Sequence, residues 1–460
     1  MKTRITLIFT AILVSLNVSF AQQDEECMNN LQIFSEFAKK KNYDEAYKPW
    51  MVVRTKCPKF NRAIYQYGEK ILDDKISKTT GDEQAAFVND LIAMYDQAME
   101  YYPQYYTKGD VLSKQAQIMF DYQEVLKKDK LSLYNAFNKA YTEDKDNFTN
   151  PKSLYTYFSA MVDLFDEKKK TAQEMFDKYD DLNEKIESEV SNYSALLNKL
   201  IEKEEAGQAL TGKEPSYKRS YESYLTNYDI ISAGMDQKLG ERANCSVLIP
   251  LYERDFEQYK NDAVWLKRSV NRMYAKECTD DALYIKLVKA YDAAAPSADT
   301  KVFVADLLMK DGKESEAFKY LQEAYDLETD PVKKGNRANK IAITLKNKGR
   351  LSQARTYFEN SLKLNPSNGR PHLAIATMYA NSANSCGDTN FKKRAVFWLA
   401  AQEAAKAGRV DPTLGTLASQ TEANFKAKAP SKGEIFQEDM AGKTINISCW
   451  INRSITVPSL

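Results

Sequence analysis

From residue 335 to 366 the chain reads GNRANKIAITLKNKGRLSQARTYFENSLKLNP, and the order in which small and large residues return along it narrows the fold more than anything else. With Gly335 counted as position 1, Ala342, Gly349, Ala354, Phe358 and Pro366 stand at positions 8, 15, 20, 24 and 32. Small residues let two helices approach closely, the large one fills the gap between them, and the proline stops the second helix. The preceding segment, KVFVADLLMKDGKESEAFKYLQEA, carries Ala305, Leu308, Gly312, Ala317, Leu321 and Ala324 in the same frame. A period of this size marks stacked helical hairpins.

Other stretches follow the plan. With Cys27 at position 1, Ala46, Trp50 and Pro58 fall at 20, 24 and 32, and residues 42–46 mark the turn between helices. A weaker copy places Gly68 at position 8 and ends in Tyr95, Ala98 and Pro103, with an insertion expected over 73–83 between its helices. Residues 372–380 predict another first helix, 381–390 an inserted turn, and 391–412 its partner. Residues 104–165 leave room for further, less regular pairs.

These positions resemble the tetratricopeptide repeat (TPR) family, closely over 27–103 and 298–412 and loosely elsewhere. The whole chain resembles exported TPR proteins of the Bacteroidota. The resemblance implies an all-α fold, a TPR-like α-solenoid of helical hairpins, and a non-catalytic adaptor that holds a partner protein or peptide on a concave surface lined by the first helices. In the two best repeats the concave positions fall on Asp299, Val302, Asp306, Met309 and Lys310, then on Asn336, Asn339, Ile343, Lys346 and Asn347. This mixed lining suits a polar, extended peptide. It does not match the Lys/Asn/Arg carboxylate clamp of chaperone-binding members, so a C-terminal carboxylate ligand is not implied.

One region breaks the period. Thr171 and Glu174 form a capping-box start, and no breaker follows before Gly207. Phe176, Tyr179, Leu182, Ile186, Val190, Tyr193, Leu197 and Leu200 recur at spacings of three and four, and Tyr217, Tyr221, Tyr224, Tyr228, Ile231, Met235 and Leu239 do the same after a loop. Two single seams predict an antiparallel, coiled-coil-like arm. At ~1.5 Å per residue its first helix spans roughly 50 Å, long enough to project from the solenoid. The tyrosine row could stack on sugars; its spacing equally fits a buried seam, which is the expectation here. Beyond Pro430 the run KTINISCWINRSITVP alternates and predicts a small β-hairpin, with Glu434, Ile435 and Phe436 as a third strand. The expected divisions are a signal peptide over 1–21, N-terminal repeats over 22–166, the arm over 167–242, C-terminal repeats over 243–428 and a β tail over 429–460.

Lys2 and Arg4 precede an apolar run from Ile5 to Leu16 and the triplet Ser19-Phe20-Ala21, the pattern of a secretory signal cleaved after Ala21. An anchor needs ~20 apolar residues, so no membrane span is expected and the protein is expected in the periplasm or outside the cell. Cys27 follows Asp24, Glu25 and Glu26 rather than a small residue, which argues against lipidation there. With 65 basic and 64 acidic residues the chain lacks the charge that draws a protein to nucleic acid.

Six cysteines in an exported chain predict disulfides. The start and end of a helical hairpin lie side by side, and Cys27 with Cys57, and Cys245 with Cys278, occupy such places; Cys386 and Cys449 are left to pin the β tail. No CxxC or histidine cluster exists for zinc or redox chemistry, so neither metal nor cofactor is expected. The lone histidine, His372, has no nucleophile motif beside it and is expected at a surface or interface. Ala441-Gly442-Lys443-Thr444 resembles the end of a phosphate-binding loop, but Gln437 stands where its first glycine is required. Carboxylate pairs such as Glu202 with Glu204 and Glu205 are expected to be solvated. These readings describe a scaffold rather than an enzyme, acting in cell-envelope assembly or secretion; the alternative is a glycan-binding helical-repeat protein. Intact mass before and after reduction should differ by six hydrogens, and free thiols in the purified protein would refute the pairing.

Overall fold

The computed structural model describes residues 25–460; the expected signal peptide lies outside the described residues. The chain divides into two compact units, one ending at Leu182 and one beginning at Asn183.

The first unit runs through α1 (25–39), α2 (Tyr43–Lys56), α3 (Ala63–Lys78), α4 (Gly81–Tyr101), α5 (Lys108–Asp121), α6 (Lys130–Glu143) and α7 (Pro151–Asp166) into the start of α8 (Ala172–Glu205). Trp50 of α2 is fully buried, and its Nε1 donates to the Ile64 carbonyl oxygen at 2.7 Å. Gly68 of α3 lies so close that a Cβ there would sit 2.7 Å from the Trp50 ring and 2.6 Å from Met94 Sδ. Arg54 is buried over the Trp50 ring, pairs with Asp90 at 2.8 Å and donates to Gln97 at 2.8 Å, tying α2 to α4. A buried cation is tolerated only when paired and hydrogen-bonded in this way. The Cys27–Cys57 disulfide joins the open ends of α1 and α2, with Cα atoms 6.4 Å apart.

The second unit holds the rest of α8, then α9 (Glu214–Leu239), α10 (Cys245–Tyr259), α11 (Ala263–Ala275), α12 (Ala282–Ala294), α13 (Ala298–Lys310), α14 (Glu314–Leu327), α15 (Pro331–Asn347), α16 (Leu351–Leu364), α17 (Arg370–Ser382), α18 (Asn390–Val410), α19 (Gly415–Lys428) and the short α20 (Lys432–Gln437). Helix starts are fixed locally: Asp330 accepts from Lys333 N ahead of Pro331, and Ser297 forms a reciprocal cap with Thr300. Ala305, Ala317, Ala324, Ala342, Ala354 and Phe358 of the periodic positions are all fully buried, so the small residues sit where neighbouring helices touch. Gly312 (φ +71°) and Gly349 (φ +72°) make the same left-handed turn in successive hairpins.

Strands β1 (Thr444–Ile447) and β2 (Arg453–Thr456) form one antiparallel hairpin, with Ile445 opposite Ile455. Ile445, Ile447, Ile455 and Val457 join the repeat core. Trp450 Nε1 donates to Ser382 Oγ at 2.9 Å, and the Cys386–Cys449 disulfide links the hairpin to the turn after α17. A two-stranded ribbon needs such support.

Two expectations change, and a point the sequence left open, whether the arm projects, is answered. Glu434, Ile435 and Phe436 are not a third strand but lie in α20, because Ser431 and Glu434 form a capping box that starts a helix there. The insertion expected over 73–83 is no loop; only residues 79 and 80 separate α3 from α4, and the extra residues lengthen both helices. The arm does not project. Thr171 and Glu174 cap α8 as predicted, but Glu184 pairs with Arg268 at 3.2 Å and Ser191 Oγ donates to Asp330 at 3.4 Å. Farther along, Asn198 Oδ1 accepts from Ser367 N at 2.9 Å. Lys185 and Glu189, 2.6 Å apart, are buried on this helix, so part of its charged face is covered by protein rather than water.

The Gly68→Ala substitution should destabilise the protein by ~1–3 kcal/mol through overpacking against Trp50 and Met94, and Gly68→Val should cost more. Denaturant midpoints unchanged from wild type would contradict the close approach.

Candidate functional site

The residues expected to face a partner lie on α13 and α15, and the structure brings these two helices together through their charges. Asp299 pairs with Arg337, and Asp306 Oδ2 accepts from Lys340 Nζ at 2.7 Å. Lys310 is held by Asp280 at 2.6 Å. Three of the four charged members, Asp299, Asp306 and Lys310, are therefore matched inside the chain, and what is left open is amide, apolar and the Lys346 ammonium. Asn336 and Asn347 are exposed, and Asn339 and Lys346 half-buried. Ile343 keeps 40% of its surface exposed, Met309 is partly buried, and Val302 is buried with the core.

The sequence reading missed three neighbours of this surface. Tyr274 of α11, 43% exposed, meets the edge of the Phe303 ring at 5.6 Å, and the Lys340 ammonium lies 5.8 Å from its ring centre. Arg337 and Lys340 were legible in principle: they stand at positions 3 and 6 of one repeat, opposite Asp299 and Asp306 at positions 2 and 9 of the one before.

The tyrosine row is buried at only one end. Tyr228 is fully buried, Tyr221 intermediate, and Tyr224 and Tyr217 are 38% and 47% exposed, so the expectation of a buried seam fails toward the α8–α9 loop. Tyr193 of α8 stacks on Tyr224 with ring centres 4.7 Å apart and also touches Tyr221 and Tyr228. Burial pushes the Tyr193 hydroxyl up to about 12. The row continues as a ladder because Tyr217 stacks on Tyr221 in turn.

His372, at the start of α17, places Nδ1 2.7 Å from Glu403 of α18. Burial pushes the Glu403 carboxyl up, but hydrogen bonds from His372 and Lys406 outweigh it and hold the group below the usual carboxylate range. Cysteine nucleophiles are absent among the described residues, where the pairs Cys27–Cys57, Cys245–Cys278 and Cys386–Cys449 account for every thiol. Among the same residues no group of three or more His, Cys, Asp and Glu side chains could hold a metal ion, and no helix is long and apolar enough to cross a membrane.

Replacing Tyr228 by alanine should cost ~3–5 kcal/mol of stability, whereas Tyr217→Ala should change it by less than ~0.5 kcal/mol. Equal effects in thermal or chemical unfolding would contradict the gradient of burial.

No family model and no curated protein matches this chain. Among solved structures it is similar to a tetratricopeptide repeat protein from Parabacteroides merdae, at 11% identity and a TM-score of 0.24 over 70% of this chain and 99% of that one. It is also similar to the human IFIT1 dimer with PPP-AAAA, at 12% identity and a TM-score of 0.31 over 80% of this chain and 75% of that one. For yeast Tom70 the figures are 13% identity and a TM-score of 0.26, over 91% and 99%. Its own hairpins, with Ala305 and Ala342, Ala317 and Ala354, and Gly312 and Gly349 at equivalent places in successive pairs, make this chain a tetratricopeptide-like α-solenoid in fold.

Proposed function

We propose that the chain is a non-catalytic, extracytoplasmic scaffold, periplasmic or extracellular, which holds an extended segment of a partner protein along α13 and α15 and serves cell-envelope assembly or secretion. The observation that carries this reading is the internal matching of Asp299, Asp306 and Lys310. It leaves Asn336, Asn339, Asn347 and the Lys346 ammonium open beside the exposed Ile343, with Tyr274 exposed on α11. An asparagine amide both donates and accepts, so it can bond the peptide groups of an extended chain whatever its side chains, while Ile343 and Tyr274 offer apolar contact. Three disulfides suit an oxidising compartment. Neither the near-neutral charge nor this surface favours nucleic acid.

A second reading rests on the tyrosine ladder. The exposed rings of Tyr217 and Tyr224 could support a glycan, whose C–H faces pack on aromatic rings.

Affinity capture from a periplasmic extract separates the two. Under the scaffold reading the wild-type chain recovers a stoichiometric protein that the double variant Asn339→Ala, Ile343→Asp loses and Tyr221→Ala retains. Recovery unaffected by the double variant would overturn the site, and glycan-array binding lost on Tyr221→Ala would favour the second reading.

A further inference from the structure

A cleft of about 470 Å³ opens where the end of α8 and the start of α9 meet α17 and α18, lined by no residue of α13 or α15. Its size is that of a small-molecule site. Ile201 and Val410 supply apolar wall. Most of its charges are already matched: Lys218 holds Glu204 at 2.6 Å, and Glu403 behind the wall is shared by Lys406 and His372, each at 2.7 Å. Two are not. Glu205 at the end of α8 and Arg409 in the last turn of α18 both line the cleft and are exposed, and among the described residues neither has an ion-pair or hydrogen-bonding partner.

His372 also lines the cleft and is fixed there by Glu403, which accepts from its Nδ1 at 2.7 Å. The cleft thus offers an unpartnered guanidinium in Arg409 and an unpartnered carboxylate in Glu205, with apolar wall from Ile201 and Val410.

We infer that this cleft binds a small zwitterion, an α-amino acid or a short peptide with both termini free. The carboxylate is taken by Arg409, the ammonium by Glu205, and an aliphatic side chain packs on Ile201 and Val410. A simple anion would face Glu205 and a simple cation would face Arg409, so a ligand of single charge leaves one wall opposed; specificity comes from that repulsion as much as from the matched contacts. The inference stands on residues separate from α13 and α15 and does not depend on a partner docking there.

The test is calorimetric titration of the protein with three probes: the tripeptide Ala-Leu-Ala, its N-acetylated form and its C-terminal amide. The free tripeptide binds, and each blocked form binds at least about tenfold more weakly, as do the Arg409→Ala and Glu205→Gln proteins with the free tripeptide. Both substituted residues are exposed, so the variants should keep the wild-type unfolding midpoint and their loss of binding is a property of the cleft. No heat from the free tripeptide at millimolar concentration, equal binding of all three probes, or binding unchanged in both variants would overturn the proposal.

Discussion

Close approach of helices through small residues is the constraint from which the rest of the molecule follows. Gly68 against Trp50 leaves no space for a methyl group, and fully buried alanines hold the same role in the hairpins of the second unit. A hairpin built this way is flat on two faces and cannot hide both by itself, so it must be stacked. Stacking in turn creates ends, and the chain treats them with different devices. At the start a disulfide fastens α1 to α2 before any other hairpin is needed. At the finish the β-hairpin lays Ile445, Ile447, Ile455 and Val457 onto the last helices and is fastened by Trp450 and a second disulfide.

The repeat positions were legible because packing demands size, and size is written in residue type. Ala305, Ala342, Ala354 and Phe358 could be placed from spacing alone, and so could the cap at Thr171. The failures fall where two structures compete for the same residues. Glu434-Ile435-Phe436 alternates like a strand, yet the Ser431 hydroxyl accepts from Glu434 N and the Glu434 carboxylate from Ser431 N, so the pair satisfies two backbone donors of a helix, and the local hydrogen bonds prevailed. The insertion after Gly68 held no glycine before Gly81 and no proline, and nothing in it stopped α3 from running on to Lys78.

The candidate surface was legible in part. Frame counting reached Asn336, Asn339 and Ile343, but it could not tell that Asp299 and Asp306 would be consumed by Arg337 and Lys340, since a carboxylate looks the same in sequence whether it waits for a ligand or for the next repeat. Charge on α8 is ambiguous for the same reason: Lys185 and Glu189 are buried with one another. A salt bridge between two residues of one helix needs no information from elsewhere, so its burial leaves no trace in the spacing. The tyrosine row shows the converse case: regular spacing continued past the point where the covering protein ends.

The contacts of α8 have a mechanical meaning. Ser191 and Asn198 are two turns apart, about 10 Å along the helix axis, and they bond to Asp330 and Ser367, which precede the first helices of two consecutive hairpins. A stack of hairpins is by nature a spring, since each interface can open a little and the changes add along its length. A rigid rod bonded to two successive coils removes that freedom between them, as a splint does. Under tension this stretch should behave as one stiff element, and compliance should be confined to hairpins that α8 does not reach.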